Sequence, residues 1–202
     1  MGRGRPRAFD REKALARAME VFWAKGFEGA SMAELTAAMG IASPSLYAAF
    51  GSKDALFREA VGLYVATDGS DIWAAVTQAD TAYAAVEGFL MATARLFSRP
   101  DKPSGCLVVL SALHETQASE AVRSELTAKR ERNTQDLARR LSQAVATGEI
   151  AASTDIDTVA RFYVTVQQGM SIQARDGADR ATLEGIARSA LAAWPSLVAA
   201  RS

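Results

Sequence analysis

The chain has 202 residues, 49% hydrophobic and 23% charged, a composition that is typical of globular proteins and excludes a disordered or collagen-like chain. One cysteine and one histidine exclude an intrachain disulfide and a zinc site built from several such ligands, and we expect no metal or cofactor. The formal net charge of +0 is unevenly distributed, since residues 1–58 carry 9 basic and 6 acidic side chains and the remainder carries 14 and 17. A basic segment of this kind can contact nucleic acid, whereas the acidic remainder is poorly suited to it.

The helical period dominates the whole sequence. Every long segment has apolar residues at that period, and none alternates convincingly like a strand, so we predict an all-α fold of about nine helices. No run of 18 apolar residues and no signal-peptide pattern occurs, so we expect a cytoplasmic protein that does not span a membrane. The predicted helices cover residues 10–26, 31–40, 43–50, 52–64, 81–98, 106–113, 118–147, 155–175 and 183–194.

The first four predicted helices are each preceded by a side chain that can cap a helix N-terminus. These residues are Asp10, Ser31, Ser43 and Ser52. Ser31 and Glu34 have the spacing of a capping box, in which each side chain accepts a hydrogen bond from the other residue's backbone. Pro44 directly follows Ser43 and suits the first helical position, because it has no N–H to leave unsatisfied.

The second and third predicted helices are short and meet at residues 40–42, which is the layout of a helix-turn-helix. In such a unit the start of the second helix faces base edges, and here it carries Ser43, Pro44 and Ser45. Tyr47 and Lys53 are spaced to contact phosphates. Leu46 and Phe50 fall on the opposite side and are predicted core residues. Many helix pairs of this shape are only packing units, so the layout alone does not decide the function.

Three arginines lie within residues 1–7, among glycines and a proline that disfavour a helix. These residues are Arg3, Arg5 and Arg7. We predict that residues 1–7 form a flexible basic arm. Such an arm is either a solvated terminus or a segment that reaches DNA phosphates or the minor groove.

Residues 31–56 resemble the DNA-binding domain of the TetR family of bacterial transcriptional regulators, most clearly in the segment from Leu46 to Lys53, Leu-Tyr-x-x-Phe-x-Ser-Lys. The resemblance is close over residues 8–57, and weaker likenesses to one branch of the family occur at residues 105–109 and 177–184. It implies a three-helix DNA-binding domain at residues 8–57 and a larger helical effector-binding and dimerisation domain at residues 58–202.

The family resemblance also implies a function: a homodimeric repressor that binds a near-palindromic double-stranded DNA operator and is released by a small-molecule effector. The last two long helices would form the dimer interface. The family resemblance implies DNA contacts at Ser31, Ser43, Ser45, Tyr47 and Lys53. Ala48 and Ala49 depart from the larger side chains of many members, so we expect the basic arm and backbone contacts to supply more of the affinity here.

Aromatic and polar residues of the predicted C-terminal domain are candidates for an effector pocket. They are Trp73, Phe89, Thr93, Phe97, Leu110, His114, Gln117, Phe162, Tyr163, Gln167 and Met170. Aromatic and methionine side chains at helical spacing are more often core residues than pocket residues.

Cys106 is open to two interpretations: a small buried residue, or a redox or electrophile sensor whose thiol is activated by a helix start or by Lys102. A regulator without an effector is a further alternative. We expect no enzymatic activity, because the sequence has no recognisable nucleophile–base pair, phosphate loop or metal cluster.

Overall fold

The computed structural model describes residues 9–111 and 119–199, and every regular element in these two ranges is a helix. The predicted all-α fold class is confirmed. Within the described ranges, no helix is long and apolar enough to cross a membrane. The helices are α1 (Arg11–Gly29), α2 (Met32–Met39), α3 (Ser43–Phe50), α4 (Lys53–Ala66), α5 (Ser70–Thr77), α6 (Ala82–Phe97), α7 (Leu107–Leu110), α8 (Glu120–Ala146), α9 (Ile156–Arg175), α10 (Arg180–Leu191) and α11 (Trp194–Val198).

Three of the four predicted N-terminal caps are confirmed. Asp10 and Ser52 accept hydrogen bonds from backbone N–H groups three residues later, and Ser31 forms the predicted reciprocal capping box with Glu34. The cap predicted at Ser43 is wrong, because α3 begins one residue earlier, with Ala42 at the cap position and no side-chain bond there.

The structure contains two short helices that the sequence patterns did not predict. Helix α5 lies between α4 and α6, buries Ile72 and Val76, and has no side-chain cap at its start. The last predicted helix ends at Leu191 rather than continuing through Trp194, which instead begins α11. Pro195 accounts for the break, since it lacks an N–H and restricts the backbone of the preceding residue.

Helices α1 to α4 form an N-terminal unit around an aromatic cluster. Phe57 packs edge-on against Phe22 and Phe27, with ring centroids 5.0 and 5.2 Å apart. The backbone leaves the helical region at Gly26, where φ is 73°, and this bend allows Phe27 to reach the cluster. The remaining helices bury their apolar faces in a core that is continuous with this cluster, with α6 packed against α5, α9 and α10.

Candidate nucleic-acid interface and ligand cavity

Helices α2 and α3 form the predicted helix-turn-helix. The turn passes through Gly40 with φ of 68°, a left-handed conformation that glycine adopts without steric cost. Leu46 and Phe50 of α3 are buried, as predicted. The N-terminal end of α3 is open to solvent, with Ser43 and Pro44 exposed, Ser45 partly buried and Tyr47 51% exposed. This face is therefore free to enter a DNA groove.

Arg11 of α1 holds the far end of α3 in place. Its guanidinium lies 4.3 Å from the centre of the Phe50 ring, donates to Glu59 of α4 at 2.8 Å and reaches the Ala49 carbonyl at 3.3 Å. Sequence reasoning missed this role, because Arg11 is distant in sequence from all three partners. The arrangement ties α1, α3 and α4 together and so orients the exposed face of α3.

The other predicted DNA contacts of the described chain also lie on this unit. The Ser31 hydroxyl is exposed, although it already donates to Glu34 at 2.8 Å. Lys25, together with bonds from Ser31, lowers the pKa of Glu34 to about 2. The Lys53 ammonium lies 4.6 Å from the Phe27 ring centre, and partial burial lowers the pKa of Lys53. Arg3, Arg5 and Arg7 lie outside the described residues.

A cavity of about 350 Å³ lies among α4, α5, α7, α8 and α9. It includes two of the predicted pocket residues, Trp73 and Gln167, as well as Cys106. The residues that line it are Tyr64, Val65, Gly69, Ser70, Ile72, Trp73, Cys106, Val108, Lys129, Arg132, Asn133, Asp136 and Gln167. We call it the α8 cavity.

Sequence reasoning missed four polar residues of the α8 cavity, although their spacing carried a signal. Lys129, Arg132, Asn133 and Asp136 follow one another at i, i+3, i+4 and i+7, which places them on one face of α8. Aromatic side chains are the more conspicuous pocket candidates in a sequence, and a polar stripe on a long helix is usually a solvated face. Only the tertiary structure reveals that this stripe borders a cavity.

Most of the other predicted pocket residues are core residues. Five of them are essentially inaccessible and line none of the cavities described here; they are Phe89, Thr93, Phe97, Tyr163 and Met170. The Thr93 hydroxyl is satisfied within its own helix, where it donates to the Phe89 carbonyl at 2.8 Å.

Two further predicted pocket residues, Phe162 and Leu110, also lie away from the α8 cavity. Phe162 packs edge-on against Tyr163, and Leu110 lines a separate cavity of about 300 Å³ between α1 and α9. His114 and Gln117 fall outside the described residues.

A groove of about 650 Å³ adjoins the α8 cavity at Trp73 and runs between α5 and the second half of α8. Its charged groups are largely satisfied by one another. Arg139 pairs with Asp136, and Arg140 lies 3.9 Å from Glu149, which also accepts from the Ala82 N–H. The groove therefore offers a ligand fewer unpaired polar groups than the α8 cavity does.

Cys106 is buried at the wall of the α8 cavity, beside the Tyr64 hydroxyl. Burial raises the pKa of the Cys106 thiol, and the neighbouring Tyr64 hydroxyl offsets this only in part. The Lys102 ammonium, which the sequence suggested as an activator of the thiol, contacts Glu20 at 3.0 Å and Asp68 at 3.9 Å.

The α8 cavity is joined to the N-terminal unit by four hydrogen bonds, which we call the junction. The Trp23 indole N–H of α1 donates to the Gly105 carbonyl at 3.0 Å, and the next N–H, that of Cys106, donates to the Ser171 hydroxyl of α9 at 2.8 Å. Arg175 of α9 donates to the Trp23 carbonyl at 2.7 Å and to the Ala24 carbonyl at 2.6 Å. A backbone segment at the cavity wall is thus bonded to the first helix of the N-terminal unit.

A helix-turn-helix unit with an exposed recognition face, carried on a helical domain with a cavity, defines a DNA-binding regulator. Comparisons with known proteins agree. The sequence model for bacterial regulatory proteins of the tetR family matches residues 14–60, and that for the tetracyclin repressor-like C-terminal domain matches residues 82–190. The chain belongs to the TetR family.

The chain matches known regulators over most of their length. The chain is 35% identical to the HTH-type transcriptional repressor ComR of Escherichia coli (strain K12), over 97% of this chain and 94% of ComR. It is 33% identical to the repressor BdcR of the same organism, over 86% of this chain and 83% of BdcR. A solved cysteine mutant of the TetR family regulator CifR, complexed with 26-base-pair operator DNA, is 48% identical with a TM-score of 0.90, covering 95% of this chain and 100% of that one.

Proposed function

We propose that the protein is a cytoplasmic, homodimeric transcriptional repressor that binds a near-palindromic operator and releases it when a small molecule occupies the C-terminal domain. The observation that carries this proposal is the exposed start of α3 on a rigidly held helix-turn-helix. The operator complex of CifR, at 48% identity, supports DNA as the partner. In the proposed complex, Ser43, Pro44 and Ser45 face base edges, while Ser31, Tyr47 and Lys53 contact the phosphate backbone.

The outer faces of α9 and α10 support a dimer through these two helices. Phe162 and Val166 of α9 and Ile186 of α10 are only partly buried in the single chain. Gly169 and Gly185 lie inside these helices, and a Cβ at either position would have no atom within 4 Å. A helix-interior glycine is destabilising by roughly 0.5–1 kcal/mol relative to alanine, so two of them facing open space suit close approach by a partner helix.

The junction supports the link between effector binding and DNA release. A ligand in the α8 cavity would press on the segment that holds Gly105 and Cys106, and this segment is bonded to Trp23 of α1. Two recognition helices must be separated by the 34–36 Å of one DNA turn, so a small pivot of each N-terminal unit breaks the match. A few kcal/mol of differential ligand affinity between the two arrangements is sufficient.

A thiol sensor based on Cys106 is the second candidate, favoured by the position of the thiol at the cavity wall beside Tyr64. The thiolate is the reactive form of cysteine, and the raised pKa of Cys106 keeps its thiol protonated near neutral pH. We therefore place non-covalent effector binding first. If Cys106→Ser abolishes effector-driven release while operator affinity stays unchanged, the thiol sensor is the better account.

Fluorescence anisotropy with a duplex selected from a random library tests the DNA-binding role. Wild-type protein should select a near-palindromic site and bind it with two protomers. Tyr47→Phe should weaken binding about 3–10-fold, because it removes one hydroxyl bond to a phosphate. Tyr83→Phe is the matched control, since Tyr83 is also exposed but lies on α6, and it should bind as the wild type does. No selected site, or equal affinity of both variants, would contradict this role.

A further inference from the structure

We propose that the α8 cavity binds a small aromatic carboxylate, and that this is the class of effector to which the protein responds. The inference rests on the proposed function, which requires an effector but does not specify its chemistry. Three features of the cavity lead to it: its aromatic wall, the Gln167 amide in its lining, and the charges at its mouth.

The wall of the cavity is aromatic and aliphatic on the side formed by α4, α5 and α7. Tyr64, Ile72, Trp73 and Val108 supply it. Trp73 packs against Phe89 of α6 with ring centroids 5.2 Å apart, and this contact helps to fix the position of the Trp73 indole. The volume of about 350 Å³ is near the lower end of ligand pockets, and a wall of this kind favours a single planar ring with a short substituent.

Gln167 of α9 supplies a side-chain amide to the lining of the cavity. The residue is only 5% exposed and lines the cavity, yet its side-chain amide makes no hydrogen bond to any residue of the described ranges. An amide has both donor and acceptor atoms, so Gln167 can hydrogen-bond a ligand in the cavity. Asn133 of α8, also at the cavity wall, likewise has no hydrogen bond within the part of the chain described.

The charges at the mouth determine which polar group the ligand should carry. Asp136 is paired with Arg139, and the Lys129 ammonium lies 3.8 Å from Glu125. Arg132 is exposed at the cavity and has no ion pair with any described residue. A carboxylate can accept hydrogen bonds from the amides and pair with the Arg132 guanidinium, whereas a cationic ligand would be repelled.

Isothermal titration calorimetry with phenylacetate as the probe tests the inference. Phenylacetamide, phenethylamine and hexanoate serve as probes that lack the charge, reverse it or lack the ring. Phenylacetate should bind the wild-type protein at least tenfold more tightly than each of the other three. Gln167→Leu and Arg132→Gln should each weaken phenylacetate binding about fivefold or more. Gln143→Leu, a change at an exposed glutamine of α8, should leave phenylacetate binding unchanged.

The outcomes are distinct from those of the DNA-binding test. Absence of phenylacetate binding, a preference for phenethylamine, or binding that neither variant weakens would overturn the carboxylate inference. Arg132→Gln changes an exposed residue, so it remains informative if Gln167→Leu fails to fold. A protein that binds its selected operator but not phenylacetate would retain the proposed function and lose this inference. A protein that binds phenylacetate but no operator would retain this inference and lose the proposed DNA-binding function.

Discussion

The helix starts of the N-terminal unit and the junction to the C-terminal domain differ in the range of the contacts that hold them. In the N-terminal unit, Ser31 and Ser52 cap their helices through bonds that span three residues. At the junction, the bond from Trp23 to Gly105 spans 82 residues and that from Arg175 to Trp23 spans 152. The comparison teaches that the helix starts of the DNA-binding unit are specified by local rules, whereas the junction, like the Arg11 contacts that orient α3, depends on contacts that form only in the complete fold.

The largest expected effect is at Gly105, where the junction is most crowded. Its φ is +77°, and a Cβ there would lie 2.6 Å from the Ser171 carbonyl oxygen. Gly105→Ala should lower the free energy of unfolding by about 3 kcal/mol or more, from backbone strain and overpacking together. Urea denaturation measures this loss.

Gly148→Ala is the control for Gly105→Ala. Gly148 has a similar φ of +75° but no atom within 4 Å of its Cβ position. Gly148→Ala should lower the free energy of unfolding only by the roughly 1–2 kcal/mol that a left-handed backbone costs a residue with a Cβ. Equal losses in the two variants would contradict the importance of the contact between Gly105 and α9.

The next effect is at Trp23, the residue of α1 that bonds to the cavity wall. Trp23→Phe leaves the buried Gly105 carbonyl without its donor and should cost about 1–3 kcal/mol by urea denaturation. Trp194→Phe is the control, because Trp194 is also buried but its indole N–H has no bond in the described ranges. Trp23→Phe should also weaken effector-driven release more than Trp194→Phe does; identical release by both would break the proposed link.

A smaller effect distinguishes the cap that exists from the one that the sequence wrongly predicted. Ser31→Ala removes the capping box of α2 and should cost about 1 kcal/mol. Ser43→Ala should cost little, because Ser43 makes no capping bond and Ala42 occupies the cap position of α3. Thermal unfolding of the two variants compares them directly. A larger loss in Ser43→Ala would overturn the helix boundary described here.

The smallest effect is the pH dependence of the same capping box. The pKa of Glu34 falls from an ordinary value of 4.5 to about 2 in the folded chain, through Lys25 and Ser31. Its contribution to stability is therefore complete above about pH 4.5 and is lost as the pH falls toward 2. The melting temperatures of wild type and Glu34→Gln should differ at neutral pH and converge over this window. A difference that persists at pH 2 would refute the assignment.

The difference in range also explains how far the sequence could predict the molecule. The fold class, most helix bounds and three caps were predictable, because they depend on periodicity and on residues three positions apart. The predicted effector pocket agrees less well with the structure. The aromatic side chains of Phe89 and Tyr163 suggest pocket residues, but the structure buries them in the core.

Arg132 and Asn133 border the α8 cavity and were overlooked, since a polar helix face does not indicate whether it meets water or a cavity. Whether Ser43, Ser45, Tyr47 and Lys53 contact DNA stays a prediction.

Footprinting of the purified protein on the DNA that flanks its own gene tests the central claim most directly. The account predicts one protected, near-palindromic stretch whose half-sites lie one or more helical turns apart. Protection should weaken for Tyr47→Phe and for a protein that lacks residues 1–7, and the shortened protein should also show a shallower salt dependence. No protected stretch, or full protection by both altered proteins at the same concentrations, would contradict the account.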